Sequence, residues 1–218
     1  MATGILPPAA PPVETMADLL ERLGGISPQR VRMSPPPGTG TEKDVIEIEA
    51  KENRLFELVD GVLVEKPPGY RESLLAAWIA TALNNFVMPR RLGLVSGPDG
   101  MMRLFPGLLR MPDVAFVSRQ RLPGGKVPTE AAPLMAPDLA IEVLSESNTK
   151  GEMALKRREY FSAGVRLVWL IDHRNRTATV FTDVDTSEVL DETQFLDGTP
   201  VLPGFKLGLR ELFASLDS

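Results

Sequence analysis

The chain has no cysteine and a single histidine among its 218 residues. Disulfides, thiol nucleophiles and cysteine-based zinc sites are therefore excluded, as is a histidine-rich zinc site. A serine–histidine–aspartate triad would have to use His173, which sits in a turn-like stretch with no nucleophile elbow nearby. Long apolar runs are also missing, since none approaches the roughly 18–20 residues that cross a bilayer. The opening stretch Met1–Pro8 lacks a basic-then-apolar leader pattern, so a cytoplasmic location is expected. No glycine-rich phosphate loop occurs; Gly97-Pro-Asp-Gly100 and Pro123-Gly-Gly125 read as turns. The groups left for chemistry are carboxylates, Lys, Arg, Ser, Thr and Tyr. Oxygen ligands of that kind select hard cations such as Mg²⁺ or Mn²⁺.

Acidic residues outnumber basic ones 29 to 24, a formal net charge of −5, which argues against a large nucleic-acid face. The distribution is uneven. Between Lys150 and Arg176 there are seven bases and three acids, whereas Asp183 to Asp197 holds only acids.

Residues 1–13 are rich in Pro and Ala and read as a flexible arm. Residues 14–54 read as a helical extension and linker: a short helix over Thr15–Leu23 stopped by Gly24-Gly25, the linker Pro35–Gly38, and a helix from Glu42 to about Lys51. From Leu55 to Ser218 the pattern is that of one domain. Leu55–Val59 and Val62–Lys66 flank Asp60-Gly61, a two-residue hairpin with a type I′ turn. Apolar spacing predicts an amphipathic helix over Ser73–Val87. Short strands are expected at Leu94–Ser96, Met101–Phe105, Pro112–Val117 and Asp138–Leu144, then a helix from Gly151 to Ala163 and strands at Val165–Asp172 and Thr177–Thr182. This order implies an α/β domain with a mixed sheet flanked by helices.

Three carboxylates interrupt apolar strands. Alternation over Asp138–Leu144 places Glu142 on the face opposite Leu139, Ile141 and Val143. An unpaired buried carboxylate costs several kcal/mol, so Glu142 needs a cationic partner. Asp113 stands at the start of the strand Pro112–Val117, and Glu57 shares a hairpin face with Val59, Val62 and Val64. Two such acids meeting at a sheet end would repel unless a divalent cation lay between them. Each alone has an ordinary alternative, pairing with an arginine or a backbone N–H. Lys156 lies on the inward helical stripe Met153–Lys156–Tyr160 and is the candidate counter-cation. Glu152 fits a capping box with Thr149 and is left outside the site.

Six ordered strings, Phe56-Glu-Leu-Val-Asp-Gly61, Met111-Pro-Asp-Val-Ala-Phe-Val-Ser118, Ala136-Pro-Asp-Leu-Ala-Ile-Glu-Val-Leu-Ser145, Lys156 with Tyr160, Ala163-Gly-Val-Arg-Leu-Val-Trp-Leu-Ile-Asp172 and Val201-Leu-Pro-Gly-Phe205, resemble the Uma-type "putative restriction endonuclease" family of the PD-(D/E)XK nuclease superfamily. The likeness runs from about Leu55 to Ala214. It implies a restriction-endonuclease-like core and a metal site in which Asp113 and Glu142 are the acids and the Val143 carbonyl a further ligand. The superfamily pattern places a lysine two residues after the second acid; that slot is Leu144 here, and the resemblance assigns the lysine to Lys156. The histidine common after the first hairpin is absent, with Tyr70-Arg-Glu-Ser73 in that region.

The expected activity is Mg²⁺- or Mn²⁺-dependent hydrolysis of DNA phosphodiesters. Asp113, Glu142 and Lys156 would be its reacting groups and Glu57 an outer ligand, with Arg110, Lys150 and Arg157 as phosphate contacts. The alternatives are a catalytically inactive DNA-binding or protein-interaction module of the same fold and a nuclease acting on RNA. No membrane partner is expected, and a homodimer is left open.

Overall fold

The computed structural model describes residues 13–217; apart from Val13, the arm expected over 1–13 lies outside the described residues. Five helices and twelve strands follow in chain order: α1 Met16–Arg22, α2 Glu42–Glu52, β1 Phe56–Val59, β2 Val62–Glu65, α3 Tyr70–Arg90, β3 Gly93–Ser96, β4 Met102–Phe105, β5 Leu108–Arg110, β6 Val114–Ser118, β7 Leu139–Val143, α4 Lys150–Ser162, β8 Leu167–Asp172, β9 Thr177–Phe181, β10 Ser187–Asp191, β11 Phe195–Asp197, β12 Lys206–Gly208 and α5 Leu209–Ala214. Among the described residues, no helix is long and apolar enough to cross a membrane.

The principal sheet runs β10-β9-β8-β7-β6-β3 and is antiparallel except for β7 and β8, which are parallel and joined through α4. That single parallel pair makes the sheet mixed, in agreement with the expected fold class. A second, antiparallel sheet runs β2-β1-β5-β4, and β11 with β12 forms a small ribbon. The hairpin turn has the expected hand, with Asp60 at φ 48° and Gly61 at φ 78°, both in the left-handed region that a type I′ turn requires.

Strand alternation sorts the core into layers. Leu139, Ile141 and Val143 of β7 join Leu167, Trp169 and Ile171 of β8 against the buried face of α3 and α5. The opposite face, with Ala140 and Val168, packs with Tyr160 of α4, the β1–β2 hairpin and Leu19 and Leu23 of α1. The outer face of the smaller sheet, through Phe56, Leu58 and Leu63, is covered by Val45 and Ile48 of α2. The site therefore lies between the two sheets, with α4 on the same side.

Residues 14–54 are packed onto this core. The Thr149 hydroxyl donates to the Gly24 carbonyl, and a Cβ at Gly24 would collide with the backbone of Gly151 and Glu152. Gly24, at φ 84°, is thus required both by its conformation and by this close approach. The expected capping box at α4 is half present: the Thr149 hydroxyl accepts the Glu152 N–H at 3.0 Å. The Glu152 carboxylate, however, turns to Arg30, pairing through both oxygens at 2.7 and 2.9 Å. A guanidinium delivered from over a hundred residues upstream outcompetes one local backbone N–H.

Candidate active site

Asp113 and Glu142 meet because of strand register. In the antiparallel pair β6–β7, Val114 lies opposite Ile141, and continuing the register by one residue sets Asp113 opposite Glu142. The Val143 N–H donates to Asp113 Oδ2 at 2.7 Å, tying the two strand ends together. Both acids line a cleft of about 770 Å³, together with Val143, Lys156, Lys66 and Glu72.

Behind the cleft lies a buried chain of charges. Lys156 Nζ stands 3.2 Å from Glu142 Oε1 and 3.0 Å from Glu57 Oε1. The Tyr160 hydroxyl donates to the same Glu142 oxygen at 2.6 Å. Glu57 Oε2 accepts from Arg110 at 2.7 Å, its Oε1 takes the Met111 N–H at 3.1 Å, and Arg110 also grips Glu159 at 2.6 Å. Met153, Lys156 and Tyr160 all point inward from α4, as their helical spacing predicts.

These neighbours set the protonation preferences. Burial pushes the Glu57 carboxyl up, but the charges of Lys156, Arg110 and Lys66 outweigh it and hold the group well below the usual carboxylate range. Glu142 goes the other way: burial raises it, Lys156 only partly compensates, and the Asp113 charge adds to the rise. Lys156 is raised, because its two carboxylates outweigh its burial. Of the two acids that Lys156 touches, Glu142 is thus the one whose charge the protein alone satisfies less.

The residues expected from sequence fare differently. Asp113, Glu142, Val143 and Lys156 come together at one cleft. Glu57 reaches Lys156 but does not line the cleft, so it acts on the cleft only through Lys156 and Arg110. Arg110 is no phosphate contact: it is 2% exposed and its guanidinium is taken up by Glu57 and Glu159. Arg157 lies over the Phe181 ring, 4.5 Å from its centroid, and does not line the cleft. Lys150 is exposed at the start of α4, outside the cleft lining. The sequence reading missed Lys66, whose ammonium lies 2.8 Å from Asp113 Oδ1 and donates to the Met111 carbonyl at 2.7 Å. A signal for it existed: Lys66 continues the Val62, Val64 alternation onto the face that holds Glu57.

Among the described residues there is no group of three or more Asp, Glu, His or Cys able to hold a metal ion. The available donor set is two carboxylates and the Val143 carbonyl. Both donors to Glu142 fall on Oε1, which leaves Oε2 without a partner among the described residues. A two-carboxylate set that leaves several positions to water suits Mg²⁺ or Mn²⁺ and not a cation that demands an all-protein cage.

The sequence profile of the Uma2 family, described as "Putative restriction endonuclease", matches residues 43–210, most of the chain. The chain belongs to the Uma2 family. The match contains Glu57, Lys66, Asp113, Glu142 and Lys156 but not Arg30, so the clamp on Glu152 comes from outside the Uma2 region. A crystal structure of "a putative nuclease belonging to DUF820" from Anabaena variabilis is similar, with a TM-score of 0.67 and 23% identity over 74% of this chain and 91% of that chain. At that identity the similarity is one of fold. Among curated proteins, none matches the chain.

Proposed function

We propose that this chain is a metal-dependent endonuclease that hydrolyses DNA phosphodiester bonds. The observation that carries this reading is the opposition of Asp113 and Glu142 across the end of β6–β7, at a cleft into which the Lys156 ammonium is fixed. Asp113, Glu142 through Oε2, and the Val143 carbonyl would hold the cation. When bound, Mg²⁺ or Mn²⁺ supplies Lewis-acid chemistry to the phosphate and lowers the pKa of a water. Glu57 keeps Lys156 charged and in place, so that its ammonium faces the cleft as a fixed positive group. A charge of that kind, desolvated and already oriented, stabilises the negative charge that builds on a phosphate under attack. Arg110 in turn holds Glu57 ionised. Family membership supports DNA as the substrate over RNA.

A second reading, a non-catalytic module of the same fold, is favoured by the lysine already seated on each acid. Incubation of the metal-stripped chain with supercoiled plasmid and Mg²⁺ or Mn²⁺ separates the two. Nicking or linearisation is expected, abolished by EDTA and reduced at least about a thousandfold in Asp113→Ala and Lys156→Ala. No cleavage in either metal, or cleavage that persists in both variants, would sink the endonuclease reading.

A further inference from the structure

The β6–β7 pair has a second end, remote from Asp113 and Glu142. There the Ser118 N–H donates to Asp138 Oδ2 at 2.7 Å. Beside it opens a cavity of about 820 Å³ lined by five arginines: Arg90, Arg91, Arg119, Arg121 and Arg166. Asp138 is the only carboxylate in that lining. In a chain where acids outnumber bases, this local reversal of charge is set by where the fold brings separate segments together.

The arginines divide into two sets. Asp138, 2% exposed, holds Arg121 at 3.0 Å and Arg166 at 2.8 Å. Arg90 is laid over Phe86, 4.1 Å from the ring centroid, and donates to the Phe86 carbonyl at 3.0 Å. Arg91 and Arg119 are exposed, and their side chains have no partner among the described residues. The Arg119 N–H donates to the carbonyl of Leu92, the residue after Arg91, at 2.9 Å. Both arginines line the cavity, and two unpaired guanidinium charges that share one cavity favour an anion there. Their planar forks fit the oxygens of a phosphate.

The remaining lining is apolar, with Phe86, Phe116, Leu92, Val201, Leu202 and Pro203. A cavity of this volume is in the range of small-molecule sites. We propose that this cavity binds a phosphorylated small molecule of nucleotide size. Its phosphate rests on Arg91 and Arg119 with Arg166 beside them, and its apolar part rests on Phe86, Leu202 and Pro203. The site is separate from the Asp113 cleft and does not depend on the endonuclease reading.

The test is calorimetry on the full chain in EDTA with ADP, inorganic phosphate and adenosine as probes. ADP is expected to bind at least about tenfold more tightly than either phosphate or adenosine, because only ADP engages both walls. Arg91→Ala with Arg119→Ala should weaken ADP at least about tenfold, with an unchanged circular dichroism spectrum because both side chains are exposed and unpartnered. Asp113→Ala should leave ADP affinity within about twofold, since it lies at the other strand end. Absence of ADP binding, or ADP affinity that survives the arginine substitutions, overturns the proposal. So does phosphate binding as tightly as ADP, which would make this an anion site alone. Loss of ADP binding in Asp113→Ala would move the nucleotide to the other cleft. A 20-base-pair duplex that needs Arg91 and Arg119 and that ADP does not displace would make the surface a nucleic-acid face.

Discussion

Lys66 Nζ lies 2.8 Å from Asp113 Oδ1, on the carboxylate proposed to hold the metal. Lysine and cation compete for the same oxygen, and the side chains are only 15% and 13% exposed, so water screens the competition weakly. Replacing Lys66 by Met is therefore expected to tighten Mn²⁺ binding roughly three- to tenfold, the scale of a single partly exposed ion pair. Calorimetric titration of the metal-stripped chain checks this; weaker binding in Lys66→Met would show that Lys66 supports the metal site and does not compete with it.

The two acids that share Lys156 should respond unequally to loss of charge. Glu57 is held ionised by its neighbours, so Glu57→Gln removes a satisfied charge and leaves Arg110 and Lys156 under-compensated. A loss of about 3–5 kcal/mol is expected. Burial already disfavours the Glu142 charge, so Glu142→Gln should cost the metal-free protein at neutral pH less than Glu57→Gln does. Urea denaturation in EDTA measures both.

The pH dependence follows from the same directions. Glu57 has a depressed folded pKa, so its stabilisation is present above the unfolded value near 4.3 and disappears only as acid reaches its far lower folded value. Glu142 has a raised folded pKa, so its contribution favours folding at low pH and fades as pH climbs through that folded value. Where the proton is present, a cation must displace it. Metal binding at mildly acidic pH is therefore expected to release up to about one proton. Titration in two buffers of different ionisation enthalpy reads the number directly, and zero release would rule out Glu142 as the titrating ligand.

Arg30 and Glu152 form a buried, two-oxygen pair between the N-terminal segment and α4, with side chains 8% and 3% exposed. Arg30→Met would leave the Glu152 carboxylate without its guanidinium, with the Asn148 amide remaining on Oε2. A destabilisation of about 3–5 kcal/mol is expected in chemical denaturation. A value under about 1 kcal/mol would mean that Asn148 and solvent suffice for Glu152.

Most of residues 55–181 was legible because its signals are local. The Asp60-Gly61 turn, the period-3.6 pattern of α3 and the alternation of β7 each act within a few residues. The strand β5 was missed because three residues after Pro106-Gly107 are too short to show alternation, and β10 to β12 because each buries a single residue and so shows no alternation. The same division holds for the site. The absence of cysteine and the single histidine confined any chemistry to oxygen ligands and lysine, and the buried carboxylates in β1 and β7 announced that cations had to meet them. Which cations did so was settled by packing. Antiparallel register set Asp113 against Glu142, the β1–β2 hairpin delivered Lys66, and Glu57 and Glu159 drew Arg110 into the interior, away from any phosphate. Composition and periodicity are properties of neighbouring residues. The pairing of buried charges depends on which distant segments exclude water from one another, and only the folded chain decides that.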